Sequence, residues 1–138
     1  MSEAVTYLVD TNVLLRYLMN DHPEHGESAR KLIAKAGRGE VALHVPFIAV
    51  VETIFTLQRF YQVAREDIGR EFLKVLTAPG IKVAGPEWVL EAVEEYRTRN
   101  VSFGDACLAA EARTQGLPIA SFDRGLDKFS GVERFEPK

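Results

Sequence analysis

Apolar and polar positions fall into short runs that predict strands alternating with helices. Val5-Thr6-Tyr7-Leu8-Val9 is β-branched, aromatic and apolar, the composition of a short buried strand. Asp10, Thr11 and Asn12 are all helix-capping types, and Val13, Leu14, Tyr17 and Leu18 then recur at helical spacing. His22-Pro23-Glu24 breaks that helix, and a second runs over about 24–36, stopping at Gly37 or Gly39. Residues 41–45 predict a second strand. Pro46 opens a helix over about 47–60 that is apolar nearly all round, which predicts cover on both sides.

Arg65-Glu66-Asp67 starts an amphipathic helix through about Leu76, Pro79-Gly80 turns the chain, and residues 81–83 predict a third strand. Pro86 stands at an expected first helical position, followed by Trp88, Val89, Ala92, Val93 and Tyr96 on one face. After a break at 100–104, a small-residue helix carries Ala106, Leu108, Ala109 and Ala112 and ends at Gly116. A fourth strand at 118–121, a turn or short helix at 125–129 and an edge strand at 132–135 complete the chain. The alternation predicts the α/β class. The expected form is a three-layer α/β/α sandwich around a central, mostly parallel sheet of four to five strands. The 138 residues suit a single domain, 1–138.

Four acids interrupt this pattern. Asp10 closes the first strand run, Glu52 sits inside the apolar helix, Asp105 opens the small-residue helix, and Asp123 closes the fourth strand run. A carboxylate at the edge of a core is costly unless its charge is compensated. No matching set of buried-looking Lys or Arg is visible in the sequence. In an open parallel sheet, ligands bind beyond the carboxyl ends of the strands. That rule places Asp10 and Asp123 at one edge, with Asp105 at a helix start facing it and Glu52 about one and a half turns into its helix. Carboxylates gathered there repel one another unless a cation is present. An all-oxygen set suits Mg²⁺ or Mn²⁺ rather than zinc. His22, His25 and His44 lack the spacing of a metal site and read as solvated or packed residues. Carboxylate-held Mg²⁺ polarises a phosphoryl oxygen and activates water, so phosphodiester hydrolysis is the chemistry that fits.

Singly, three of the acids also have structural readings. Asp10 and Asp105 suit helix starts, and Asp123 suits the Asp-Arg-Gly-Leu turn. Glu52 has the poorest structural reading, because a Glu inside an apolar helix needs a partner. Composition changes the picture little. The net charge of −3 is not that of a generic nucleic-acid binder. Of 20 acidic residues, 16 remain once the four are set aside, against 17 basic ones. One cysteine excludes an internal disulfide and points to a reducing compartment. There is no cleavable leader pattern and no apolar run of membrane-spanning length, so a cytoplasmic protein is expected.

Four segments carry a resemblance. They are Val-Asp-Thr-Asn-Val-Leu-Leu-Arg-Tyr-Leu at 9–18, Val-Val-Glu-Thr at 50–53, Ser-Phe-Gly-Asp-Ala-Cys-Leu-Ala-Ala at 102–110, and Ile-Ala-Ser-Phe-Asp-Arg-Gly-Leu-Asp-Lys-Phe at 119–129. In this order and at these separations, the chain resembles the PIN-domain ribonucleases, most closely the toxins of VapBC-type toxin–antitoxin pairs. The resemblance implies a Mg²⁺- or Mn²⁺-dependent endoribonuclease, with Asp10, Glu52, Asp105 and Asp123 as its acids. Asp10 and Asp105 would be direct ligands. Glu52 and Asp123 would bind a second ion or orient the attacking water. Asn12 and Ser121 match supporting polar positions, and Asp127 is a weaker fifth acid. Arg16, Arg124 and Lys128 are candidates for phosphate contact. RNA is the implied substrate, an antitoxin protein the implied partner and a homodimer the implied assembly. The apolar helix at 47–60 would supply the partner surface.

Two other classes compete. A non-catalytic PIN-like module for RNA or protein would be marked by loss of site acids, and all four are kept. An aspartyl-nucleophile phosphatase would use Asp10, but its pattern wants a second Asp where Asn12 stands.

Overall fold

Three strands pair side by side and in parallel in the computed structural model, which describes residues 4–138. They are β1 (Val5–Leu8), β2 (Val41–Pro46) and β3 (Ile81–Ala84), in the order β1-β2-β3. The register sets Leu8 opposite His44 and His44 opposite Lys82. The Val9 N–H donates to the His44 carbonyl at 2.9 Å, carrying the ladder to the point where Asp10 leaves the sheet. Four helices accompany this sheet: α1 (Thr11–Leu18), α2 (Pro23–Gly37), α3 (Phe47–Arg59) and α4 (Arg65–Leu76). Together these elements form one compact unit, Met1–Pro86. α1 packs on α2 and α3, while α2 and α3 lie against β2 and α4 against β3. Leu14, Leu43, Val45, Val50, Ile54, Ile68 and Phe72 are the largest of its fully buried side chains. Each such side chain stabilises by about 1.5–3 kcal/mol relative to exposure.

Glu87–Lys138 forms a second compact unit. It holds α5 (Val89–Thr98), α6 (Phe103–Gln115), β4 (Ile119–Ala120), a 3₁₀ turn (Arg124–Lys128) and β5 (Arg134–Phe135). β4 and β5 pair in parallel, with Ile119 opposite Arg134. Ala106, Ala109, Ala110 and Ala112 are buried, and these small residues let α6 approach α5 closely. Tyr96 and Phe103 meet edge to face at 5.9 Å. Phe129 is buried, with the Arg99 and Arg113 guanidinium groups 5.3 and 5.9 Å from its ring centre. Both arginines pair with Glu95, and each also donates to a backbone carbonyl of the closing segment, Lys128 or Ser130.

The α/β class and the parallel pairing are those expected. The five strands, however, fall into sheets of three and two. β1 was expected to be buried, yet it is an edge strand of its sheet. Val5 is 56% and Leu8 73% exposed, and Val9 alone in the run is buried. α3 is not covered on both sides. Its buried stripe is Ala49, Val50, Thr53, Ile54 and Leu57, which leaves Ile48 and Phe55 exposed. Pro86 does not begin a helix; α5 starts at Val89, after Trp88. Among the described residues no helix is long and apolar enough to cross a membrane.

Candidate active site

Strand register brings the segments that carry Asp10 and Glu52 to one edge of the first unit's sheet. β1 and β2 run in parallel and both end at the same edge, so α1 and α3 begin side by side. Asp10 holds the N-cap position of α1 in extended backbone, but its carboxylate makes no capping hydrogen bond. The cap reading of Asp10 therefore fails at the side chain, and the carboxylate is left exposed. The neighbouring Thr11 hydroxyl donates to Glu52 Oε1 across a long 3.4 Å, linking the first turn of α1 to α3. Glu52 lies off the buried stripe of α3 and is exposed. Its charge is thus met by water, not stranded in a core as the apolar run suggested. The next residue, Thr53, is fully buried, and its hydroxyl has no hydrogen-bond partner among the described residues.

Asp105 and Asp123 are placed in the second unit by two serines. The helix carrying Asp105 starts earlier than expected, at Phe103, with Ser102 as its N-cap. The Ser102 hydroxyl accepts from the Asp105 N–H at 3.0 Å. Asp105 therefore occupies the first turn without capping it, where the helix dipole favours a carboxylate. Its side chain is half-buried and has no hydrogen-bond partner among the described residues. The Ser121 hydroxyl accepts from the Asp123 N–H at 2.9 Å. Asp123 Oδ1 in turn accepts from the Gly125 N–H at 2.8 Å, so this acid does hold the turn that its sequence suggested. A Cβ on Gly125 would lie 3.0 Å from that oxygen.

None of the four carboxylates is ion-paired to Lys or Arg among the described residues. Nor, within either unit, do three His, Cys, Asp or Glu side chains of the described residues stand together as a ready-made metal cage. Asn12 is exposed beside Asp10 in sequence and lines a cavity between α1 and α2. Asp127 is engaged elsewhere: Arg134 bonds it at 2.9 Å and holds its carboxyl below the usual range. Arg16 pairs with Asp21 at 3.3 Å. Three contributors escaped the sequence reading. They are Thr11 as a link to Glu52, Ser102 as a cap and Arg134, whose guanidinium donates to the Ser121 carbonyl at 3.0 Å. Of these, Ser102 was legible, since Ser-x-x-Asp before an apolar run is a capping pattern.

The PIN domain family model matches residues 7–132, most of the chain. The chain belongs to the PIN-domain family. A curated relative, a VapC ribonuclease of Aquifex aeolicus (strain VF5), is 27% identical over 132 residues. The match covers 94% of this chain and 97% of the relative. All four acids of this PIN domain lie inside the matched region, as do Asn12 and Ser121.

Proposed function

We propose that this PIN domain is an endoribonuclease that hydrolyses RNA phosphodiester bonds with Mg²⁺ or Mn²⁺, and that it is the toxin of a type II toxin–antitoxin pair. The observation that carries this reading is the unspent charge of its acids. Among the described residues, Asp10, Glu52 and Asp105 make no ion pair with a protein cation, and neither Asp10 nor Asp105 spends its carboxylate on a helix cap. The donors are all oxygens, the set that hard divalent ions take. Asp10 and Asp105 are assigned to the metal, and Glu52 and Asp123 to a second ion or to the attacking water. A bound divalent ion supplies charge for a phosphoryl oxygen and a more acidic water. The chain's own contribution is placement: Thr11 steadies Glu52, Ser102 sets the backbone at Asp105, and Ser121 with Gly125 sets Asp123.

The VapC name of the relative supports RNA as substrate and an antitoxin as partner. The uncovered apolar face of α3, with Ile48 and Phe55, is offered as the surface for a second copy or the antitoxin. Arg124 and Lys128, exposed at the two ends of the 3₁₀ turn that follows Asp123, are assigned to phosphate contact, and the cytoplasm is the location proposed. The test is cleavage of end-labelled RNA with Mg²⁺ or Mn²⁺ against EDTA. Asp10→Asn and Asp105→Asn are expected to lower cleavage by roughly a hundredfold or more, the scale of several kcal/mol of charge stabilisation. Their circular dichroism should match the parent, because neither carboxylate holds a structural bond. Millimolar Mg²⁺ is expected to raise the parent's melting temperature and not that of Asp105→Asn. Full activity in Asp105→Asn rejects the assignment.

A further inference from the structure

α1 and α2 meet at Gly26, where a Cβ would sit 3.3 Å from the Arg16 carbonyl oxygen. Beside that contact the two helices line a cavity of about 420 Å³. This volume is within the range of small-molecule sites, about 300–1,000 Å³. Val13 and Leu32 give it apolar surface, Asn12 and Ser28 give neutral donors and acceptors, Arg16 gives a guanidinium and His25 an imidazole. Apolar faces and a polar edge are what a nucleobase presents, and planar side chains are what bases stack on.

Two of these groups are fixed in advance. Arg16 Nη1 lies 3.3 Å from both Asp21 carboxylate oxygens, and the Tyr61 hydroxyl donates to Asp21 Oδ2 at 2.7 Å. The His25 ring stacks on His22, centre to centre at 4.0 Å and 14° from parallel. His22 is itself tied down as the cap of α2, its Nδ1 accepting from the His25 N–H at 3.1 Å. One face of the exposed His25 ring is thereby taken, and the residue also borders the cavity. The cavity also adjoins the candidate active site along the chain. Asn12 follows Asp10 by two residues, and α1 rises only about 6 Å from Asn12 to Arg16.

We propose that the α1–α2 cavity is a nucleobase subsite, receiving a base next to the scissile phosphate of single-stranded RNA, with His25 as its stacking residue. This inference rests on the ribonuclease reading above. It gives that reading a source of sequence preference, since acids acting on a phosphate meet the same group at every nucleotide.

Two measurements test it. Short RNAs differing at one base beside the cut are compared by kcat/KM in the parent, His25→Ala and Ser28→Phe. The His25 imidazole proton signals are followed while each ribonucleoside 5′-monophosphate is added to the parent without metal. His25→Ala is expected to lose about tenfold in kcat/KM on the preferred RNA, the scale of one stacking contact, and to flatten the base preference. Saturable shifts at His25, abolished in Ser28→Phe where the cavity is filled, are the matching result. Parent-like base preference in both variants overturns the proposal. So do shifts that appear with a purified antitoxin peptide and not with nucleotides. If the parent cuts no RNA, the ribonuclease reading falls and the titration alone decides. Shifts with nucleotides then keep the cavity as a base site, and their absence removes it.

Discussion

A side chain's chemistry in this protein is decided by what its immediate neighbours leave it free to do. Asp105 and Asp127 are both acids near helical turns, yet Arg134 consumes one while Ser102 takes the backbone of the other and spares its carboxylate. Cys107, two residues beyond Asp105, shows the same dependence. Burial pushes its thiol up to about 12, and the nearby Glu111 carboxylate adds to the effect. The folded value lies above the unfolded one, so the stability tied to the neutral thiol is complete below about pH 9. It is lost as pH rises toward 12. At pH 8 the thiolate is scarce, and alkylation by iodoacetamide is expected to be at least about tenfold slower than for free cysteine. Mass spectrometry over time measures the rate. A rate equal to that of the unfolded chain would contradict the burial.

Between elements, close approach is set by residues with little or no side chain. Gly80, in the turn between α4 and β3, has φ +80, and a Cβ there would lie 2.2 Å from the Ala36 carbonyl oxygen at the end of α2. Gly80→Ala combines that clash with a left-handed backbone that L residues resist by about 1–2 kcal/mol. It is expected to destabilise the first unit by about 3 kcal/mol or more, read as a drop in the denaturation midpoint. The Pro79-Gly80 turn was legible because the dipeptide has few other uses. The face of α3 was not. Eight apolar residues spread round its 13 positions hide the stripe, and only the packing on α1, β2 and α4 picks out Val50, Ile54 and Leu57 as the inner side. Glu52 falls outside that stripe, so its exposure could not be read from composition.

At the scale of the whole molecule, three carboxylates among the described residues carry lowered pKa values from a specific donor: Asp21 from the Tyr61 hydroxyl, Glu94 from Arg97 and Asp127 from Arg134. Each folded value lies below the unfolded one. Their contribution is therefore present above the ordinary carboxylate range, near about pH 4, and is lost as pH falls through the lowered values. Melting temperature is expected to fall from pH 4 to pH 2.5, and Asp21→Asn should flatten part of that slope. An unchanged slope would remove Asp21 from the account. The class, the parallel pairing and the helix order were all legible, because periodicity and turn residues encode them locally. The division of strands into sheets of three and two was not, since partner choice depends on contacts far apart in sequence. The four acids were singled out where apolar runs end or are interrupted, while the bonds at Glu52, Asp105 and Asp123 became visible only in three dimensions.

The serines behind Asp105 and Asp123 have an evolutionary consequence. On the toxin function proposed above, the chain is under constant pressure to acquire inactivating mutations, and the target for them is wider than the codons of the four proposed acids. Ser102 and Ser121 each accept from the backbone N–H of an acid, and the Gly125 N–H donates to the Asp123 carboxylate. Lineages escaping toxicity would therefore scatter their changes over these scaffold positions as well as over the acids, and would keep a folded protein still able to occupy its partner.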